Sequence, residues 1–267
     1  MKKVLMLLFF TAMFCFGQYY QRVGGDIKGW EKKCNRGDIE SCSTAAFIYH
    51  HGVEAKENQN KAAKYWAKSC DGGDGGDCES ASGVFKQIKN HNEANEYYNK
   101  ALQHYIKECN SGDDINYYGR YIISPCFKVG KMYEEGSEVW QDKTQANKYY
   151  SKAFQHLKKG CDSDSGGYCD VVGDMYRDGR GVEQNYTKAV KYYKESCERS
   201  CSEFNIEFDC GNEYSCLGLS GMYEEGKGVK QDKAQAKKYQ KRGCDLFWES
   251  NSGAKGPIVP IPDGCDF

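Results

Sequence analysis

One unit of the sequence recurs five times, and nothing else in the chain constrains the fold as strongly. Its fullest copy runs from Cys161 to Cys197. Within it Tyr168, Val171, Val172, Met175 and Tyr176 fall at steps of 3, 1, 3 and 1. That is one face of a 3.6-residue period and predicts an amphipathic helix, helix A. Gly179 and Gly181 follow and supply the positive φ that ends a helix and turns the chain. Tyr186, Ala189, Val190, Tyr193 and Cys197 then step by 3, 1, 3 and 4, which predicts a second helix, helix B. Two such helices joined by a short loop form an αα-hairpin. The aromatic pair Tyr192-Tyr193 reads as core packing rather than a cofactor box.

Met-Tyr followed by a glycine three residues on appears as Met132-Tyr133…Gly136, Met175-Tyr176…Gly179 and Met222-Tyr223…Gly226. Weaker copies are Ile48-Tyr49…Gly52 and Val84-Phe85, which lacks the glycine. Each is followed by an alanine with an aromatic three residues later: Ala62/Tyr65, Ala94/Tyr97, Ala146/Tyr149, Ala189/Tyr192 and Ala236/Tyr239. The spacings Cys34 to Cys70 and Cys161 to Cys197 are both 36 residues. A lone hairpin cannot bury both its faces, but a stack of five can, which predicts a solenoid with a curved inner surface.

The strings Gly-Lys-Met-Tyr-Glu-Glu-Gly (130–136), Gly-Arg-Gly-Val-Glu-Gln-Asn (179–185) and Lys-Ala-Val-Lys-Tyr-Tyr (188–193) resemble Sel1-like repeats, relatives of the tetratricopeptide repeat. A cysteine pair in each unit is similar to the Helicobacter cysteine-rich protein (Hcp) family of secreted Sel1-like proteins. The resemblance covers about residues 30–245. The expected fold class is an all-α, right-handed superhelical solenoid of antiparallel αα-hairpin repeats, stapled by disulfides.

The chain opens with Met1-Lys2-Lys3 and then runs apolar from Val4 to Phe16, too short to span a bilayer. This fits a secretory signal peptide over residues 1–17, cut after Gly17, with a lipid anchor on Cys15 as the alternative. Removing Lys2 and Lys3 takes the net charge from −1 to −3. A near-neutral chain with both signs of charge has no electrostatic footprint for nucleic acid. No other stretch could span a membrane, and a secreted or periplasmic monomer is expected. Residues 18–245 form the solenoid, with a partial N-terminal cap around Gly29-Trp30-Glu31-Lys32-Lys33, and residues 246–267 a tail docked by a disulfide.

Without Cys15, fourteen of the fifteen cysteines remain, an even number suited to an oxidising compartment. Cys34/Cys42, Cys70/Cys78 and Cys161/Cys169 share a spacing of eight and bracket the turn from helix B of one unit to helix A of the next. An antiparallel corner brings such positions within bridging distance. Cys109 with Cys126 and Cys197 with Cys216 occupy the same places with longer loops. Cys201 and Cys210 nest inside the second of these loops as a further pair, and Cys244 with Cys265 ties back the tail. Metal-type spacing is absent, so seven disulfides are expected and no metal. Only 39% of the chain is hydrophobic, so the bridges add stability that a thin core lacks.

Trp66 reads as a core anchor, and the run Asp71 to Asp77 as a plain turn rather than a calcium loop. The helices B after Ala94 and Ala146 are expected to run two turns longer than the others. Two insertions replace corner turns. Residues 110–125 hold Tyr117, Tyr118, Tyr121, Ile122 and Ile123, and residues 198–215 hold Phe204, Ile206 and Phe208, which alternate like a short strand or hairpin. The tail from Gly253, with Pro257, Pro260 and Pro262, is not helical.

The Hcp resemblance implies penicillin binding and weak β-lactamase (hydrolase) activity. The residues themselves show no catalytic constellation. The one Ser-x-x-Lys is Ser252-Gly253-Ala254-Lys255, in a proline-rich tail without companion motifs. His50-His51 sit adjacent on a helix, where neighbouring side chains point apart, and read as surface or loop-end residues. No cofactor is expected. The better candidate is the inner surface, where Lys128, Lys131, Glu134, Asp174 and Arg177 should line helices A. Their alternating charge suits an extended protein or peptide segment, or a peptidoglycan fragment. Asn185, in Glu183-Gln184-Asn185-Tyr186-Thr187, matches an acidic bacterial N-glycosylation sequon.

Overall fold

The computed structural model describes residues 26–53, 55–111, 116–118, 121–136, 141–163, 168–199, 212–251 and 265. The signal segment, the side chains Phe204, Ile206 and Phe208, and the Ser252–Lys255 motif lie outside the described residues. The described part of the chain is helical except for one small hairpin. Its helices are α1 (Ile27–Cys34), α2 (Ile39–His51), α3 (Gln59–Asp71), α4 (Gly75–Gln87), α5 (His91–Ser111), α6 (Pro125–Glu135), α7 (Lys143–Cys161), α8 (Cys169–Asp178), α9 (Tyr186–Glu198), α10 (Glu213–Glu225) and α11 (Lys233–Asn251). Helices A are α2, α4, α6, α8 and α10, and helices B are α3, α5, α7, α9 and α11. The partial cap is α1. The long helices B after Ala94 and Ala146 are α5 and α7, of 21 and 19 residues against 13 for α3 and α9. The last helix continues to Asn251, beyond Cys244.

The chain forms two compact units, residues 20–114 with 124–146, and residues 147–267 with 115–123. The same construction recurs in each. A polar cap starts four of the five helices B: the Asn58 and Asn185 side chains accept from the Lys61 and Lys188 amides at 3.0 and 2.9 Å. Asp142 and Asp232 do the same before α7 and α11. Such a cap satisfies one of the orphan amides of a first turn. Four helices A end in a left-handed glycine, Gly52, Gly136, Gly179 or Gly226. The copy without a glycine, α4, instead puts Lys89 at φ 62°, a conformation that costs a residue with a Cβ roughly 1 kcal/mol.

The A–B loop is closed by its own polar groups. The amides of Asn58, Asp142, Asn185 and Asp232 donate to the carbonyls of Tyr49, Tyr133, Tyr176 and Tyr223 at 2.8–3.0 Å. Gln141, Gln184 and Gln231 donate from Nε2 to the carbonyls of Glu134, Arg177 and Glu224. The Gly-Arg-Gly-Val-Glu-Gln-Asn string is therefore a loop clasp. Its second glycine has a separate role. A Cβ on Gly181 would lie 2.3–2.6 Å from the backbone of Tyr150 and Ser151, and one on Gly228 2.4–2.7 Å from that of Tyr186 and Thr187. Each such loop rides directly on the first turns of the preceding helix B.

Between the two helices of a repeat lies a stacked aromatic pair: Tyr49–Tyr65, Phe85–Tyr97, Tyr176–Tyr192 and Tyr223–Tyr239. Their ring centroids are 5.5–5.9 Å apart and their planes within 15°. Beside them Ala62, Ala94 and Ala189 are fully buried. Trp66 is buried as expected. Disulfides join Cys34–Cys42, Cys70–Cys78, Cys109–Cys126, Cys161–Cys169, Cys197–Cys216 and Cys244–Cys265, with Cα separations of 4.6–5.4 Å. The first five occupy the B-to-A corners, and each closed loop contributes roughly 2–3 kcal/mol on the chain-entropy account. The seventh expected bridge, between Cys201 and Cys210, is not among these six. Both Cys201 and Cys210 belong to the insertion after α9 and lie outside the described residues.

One element goes beyond the sequence reading, and one expectation needs correcting. A strand pair forms in the first insertion, where only the second had shown strand-like alternation: β1 (Asn116–Tyr118) and β2 (Tyr121–Ile123) pair antiparallel, with Tyr117 opposite Ile122. Tyrosines and β-branched isoleucines favour a pleated pair, and their clustering carried that signal. The rings of His50 and His51 do not point apart, but meet edge to face at 4.7 Å. Rings at the last turn of a helix can swing together because no following turn separates them. His50 also packs on Trp66 and bonds Gln59, which draws it inward.

Gly181→Ala should lower stability by about 2 kcal/mol or more, because the added carbon meets backbone at φ +71°. Gly221→Ala, in α10 with nothing within 4 Å, should raise it by about 0.5–1 kcal/mol through helix propensity. Thermal denaturation followed by far-ultraviolet circular dichroism compares the two.

Candidate functional site

The side chains on the helix-A face are tied to tyrosines reaching up from helices B. Tyr105 and Tyr193 stand four residues, one helical turn, before Cys109 and Cys197. They therefore share the cysteine's buried face, and their hydroxyls reach the helix A of the same hairpin. In the N-terminal unit the Tyr105 hydroxyl donates to Glu79 at 3.1 Å. The Lys128 ammonium donates to Glu79 at 2.7 Å and to the Tyr105 oxygen at 2.9 Å, and lies 4.5 Å from the ring centroid. Lys128 thus bridges α6 to α4. In the C-terminal unit the Tyr193 hydroxyl donates to Asp174 at 2.6 Å, and Arg177 pairs with Asp174 at 2.8 Å and with Asp178 at 2.7 Å. Burial and the adjacent carboxylates push the Tyr105 and Tyr193 hydroxyls well above the ordinary tyrosine range, so both remain donors.

A third such network closes the N-terminal end. Glu31 of α1 accepts from Tyr49 at 2.8 Å, from Tyr65 at 2.9 Å and from Lys61 at 3.3 Å. Burial alone would raise its pKa, but these three donors outweigh it and hold the carboxyl below the usual range. Burial, with the Glu31 charge, pushes Tyr65 up to about 12.

Of the five residues expected on the inner face, Lys128, Lys131 and Glu134 share α6 and the N-terminal unit, whereas Asp174 and Arg177 share α8 and the C-terminal unit. Lys128, Asp174 and Arg177 belong to the tyrosine networks. Lys131 is exposed and pairs along its own helix with Glu135 at 3.5 Å. Sequence reasoning missed Glu31, Glu79, Tyr105 and Tyr193. The one-turn offset of the tyrosines from cysteine was their visible signal. Glu79, the carboxylate partner of Tyr105 26 residues away, had none, whereas Asp174, the partner of Tyr193, was already among the expected residues.

Asn185 is the cap of α9, with its side-chain oxygen engaged by the Lys188 amide, and the Thr187 hydroxyl donates to the Gly228 carbonyl at 3.4 Å. Among the described residues, the side chains close enough to hold a metal are Cys161, Cys169 and Glu195, and those two sulfurs are joined to each other, which removes the thiolates a metal needs. Asp74 of the glycine-rich turn caps α4 through the Asp77 amide at 2.9 Å. No helix among the described residues is long and apolar enough to cross a membrane.

These features define a helical-repeat scaffold, in which helix pairs are joined at their corners and one helix of each pair presents polar side chains. The Sel1 repeat model matches residues 41–74, 80–104, 126–164, 171–201 and 214–246, and the chain belongs to the Sel1 repeat family. Comparison with curated proteins returns no match. Among solved structures, the chain is similar to a Sel1 repeat protein from Oxalobacter formigenes, with 16% identity, a TM-score of 0.51, and coverage of 85% of this chain and 58% of that one. It is also similar to a protective antigen of uropathogenic Escherichia coli with an SLR fold, at 18% identity and TM-score 0.39, covering 88% of this chain and 54% of that one. A third likeness is to Helicobacter pylori cysteine-rich protein B, at 25% identity and TM-score 0.30, covering 60% of this chain and 95% of that one. The chain thus spans a little over half the length of the first two proteins.

Asp170, at the start of α8, accepts from Asn212 at 3.3 Å and is pushed up to about 6 by burial, with the charges of Asp174 and Glu213 adding to it. Its folded pKa exceeds the unfolded one. Its contribution is therefore most favourable below about pH 4 and is lost as the pH rises to about 6. Asp170→Asn should remove that loss, stabilising the protein by about 1–3 kcal/mol near pH 7.5 while matching the parent near pH 4. Melting curves of both proteins at the two pH values test it, and a variant melting below the parent at the higher pH would show an ionised, well-solvated Asp170.

Proposed function

We propose that this Sel1-repeat chain is an exported, monomeric interaction scaffold that holds an extended protein or peptide segment along its helix-A face. The peptide stems of peptidoglycan are the cell-wall form of such a ligand. The observation that supports this most directly is the Lys128–Glu79–Tyr105 network. It locks two successive helices A together and leaves a half-exposed row of Glu79, Lys128 and Lys131 along them. A row of charges already fixed by its own bonds binds without a large ordering cost. Six disulfides among the described residues fit an oxidising compartment, where a small-core repeat protein gains most from them. A seventh bridge, from Cys201 to Cys210, is part of the same proposal. Family membership supports a binding role, because Sel1 repeats are generally a protein-interaction fold.

Lys131 separates binding from folding, since among the described residues its one bond is an exposed i,i+4 pair worth roughly 0.3–0.5 kcal/mol. Lys131→Glu should leave the melting temperature within about 2 °C, yet weaken capture of acidic extended peptides from a fluorescent library about tenfold, as expected for loss of ~1.4 kcal/mol. Unchanged capture would remove the helix-A face as the site. A covalent adduct with labelled penicillin, seen by intact-protein mass spectrometry, would favour an acyl-transfer enzyme instead.

A further inference from the structure

The near-zero net charge of the chain hides a division by helix type. In the C-terminal unit, the part of α7 from Asn147 onward, with α9 and α11, carries twelve lysines and arginines against four acidic residues. The two helices A of the same unit, α8 and α10, carry one arginine against six acidic residues. The three helices B form one layer. Lys158 of α7 bonds Tyr192 of α9, the Tyr239 hydroxyl of α11 donates to Glu198 of α9 at 2.7 Å, and Arg242 donates to the Cys197 carbonyl at 2.9 Å. All but one of the twelve cations, Lys158, are exposed.

Most of these charges have no carboxylate beside them. Lys158 and Lys194 pair with Asp162 and Glu198 along their own helices. Among the described residues, Lys148, Lys159, Lys188, Lys191, Lys238 and Lys241 make no ion pair. Four of them lie 5.1–5.8 Å from the centroids of buried tyrosine rings: Lys148 by Tyr149, Lys188 by Tyr176, Lys191 by Tyr192 and Lys238 by Tyr239. The aliphatic stems are thereby laid along the surface and the ammonium groups face outward.

We propose that this outer face of α7, α9 and α11 binds an acidic polysaccharide. A surface on which exposed cations outnumber carboxylates attracts a polyanion and releases its counterions. The details favour sugar acids. Eleven of the twelve cations are lysines, point charges suited to carboxylates and sulfates dispersed along a chain rather than the bidentate fork that arginine offers phosphate. The exposed large apolar side chains among the described residues are Ile39 and Tyr214, neither of them on these three helices. The face therefore offers no ring for stacking a nucleobase and no wedge for a bilayer. It is separate from the helix-A face and does not depend on what that face holds.

Heparin is the probe, titrated against the full-length oxidised protein by tryptophan fluorescence or calorimetry. Binding should weaken about tenfold between ~50 and ~200 mM salt, as expected when about two charges are neutralised. The triple reversal Lys148→Glu, Lys191→Glu and Lys238→Glu, one exposed position per helix, should abolish it. Lys32→Glu, Lys64→Glu and Lys107→Glu, exposed positions in the N-terminal unit with the same total charge change, should reduce it less than about threefold, the share left to long-range charge. Circular dichroism confirms that both variants are folded. Equal losses from the two triples would mean that only net charge matters and would overturn the proposal. So would the absence of heparin binding at physiological salt, or equally tight binding of single-stranded DNA or phosphatidylserine vesicles.

Discussion

Every repeat in this protein depends on a covalent corner. Eight of the eleven helices among the described residues are thirteen residues or fewer, and an isolated helix of that length is marginal in water. The apolar core is also limited in kind, since it is built largely from alanine, tyrosine and cysteine rather than from leucine and isoleucine. Joining the end of one helix B to the start of the next helix A shortens the unfolded chain's freedom at the point where a repeat must stack on its neighbour. The sulfurs are buried as completely as the apolar residues around them, so they also fill the corner. Local contacts then need only orient helices that are already held.

Around those corners the two helices of each hairpin are brought close by small residues and then registered by aromatic rings. Fully buried alanines on helices B allow close approach, and the stacked tyrosine pairs set the separation. The polar ends of tyrosines, inside and outside these pairs, cannot remain unbonded where they surface, and they take carboxylates from neighbouring helices A or from the helix before. The same requirement that satisfies a buried hydroxyl thus arranges charge on the surface. A face used for binding inherits its geometry from the packing beneath it.

The repeating architecture was legible from the residues because a period of 3.6 within each helix and a larger period between hairpins are both written locally. Gly179 and Gly226 announce helix ends, and Cys161 with Cys169 announces a corner, without reference to anything distant. The hairpin around Tyr117 and Ile122 was less legible. Its aromatic and β-branched residues were visible, but strand pairing is settled between segments rather than within one. The second glycine of each A–B loop showed the same limit. Gly181 looked like part of a turn, while its closest constraint is the backbone of Tyr150 and Ser151, some thirty residues earlier.

Taken alone, the amino-acid order determined the helices, their pairing and the cysteines that close each corner, because those features depend on neighbours in the chain. Tertiary structure decided which charges are engaged. Lys128 and Asp174 look equivalent to Lys131 along a helix, yet they meet Glu79 and Tyr193 from other helices, and Lys131 does not. It likewise gathered lysines from three helices onto one layer while a nearly balanced total gave no hint of them. Electrostatics acts through space, over a few ångströms, and distances of that kind exist only once the hairpins have stacked.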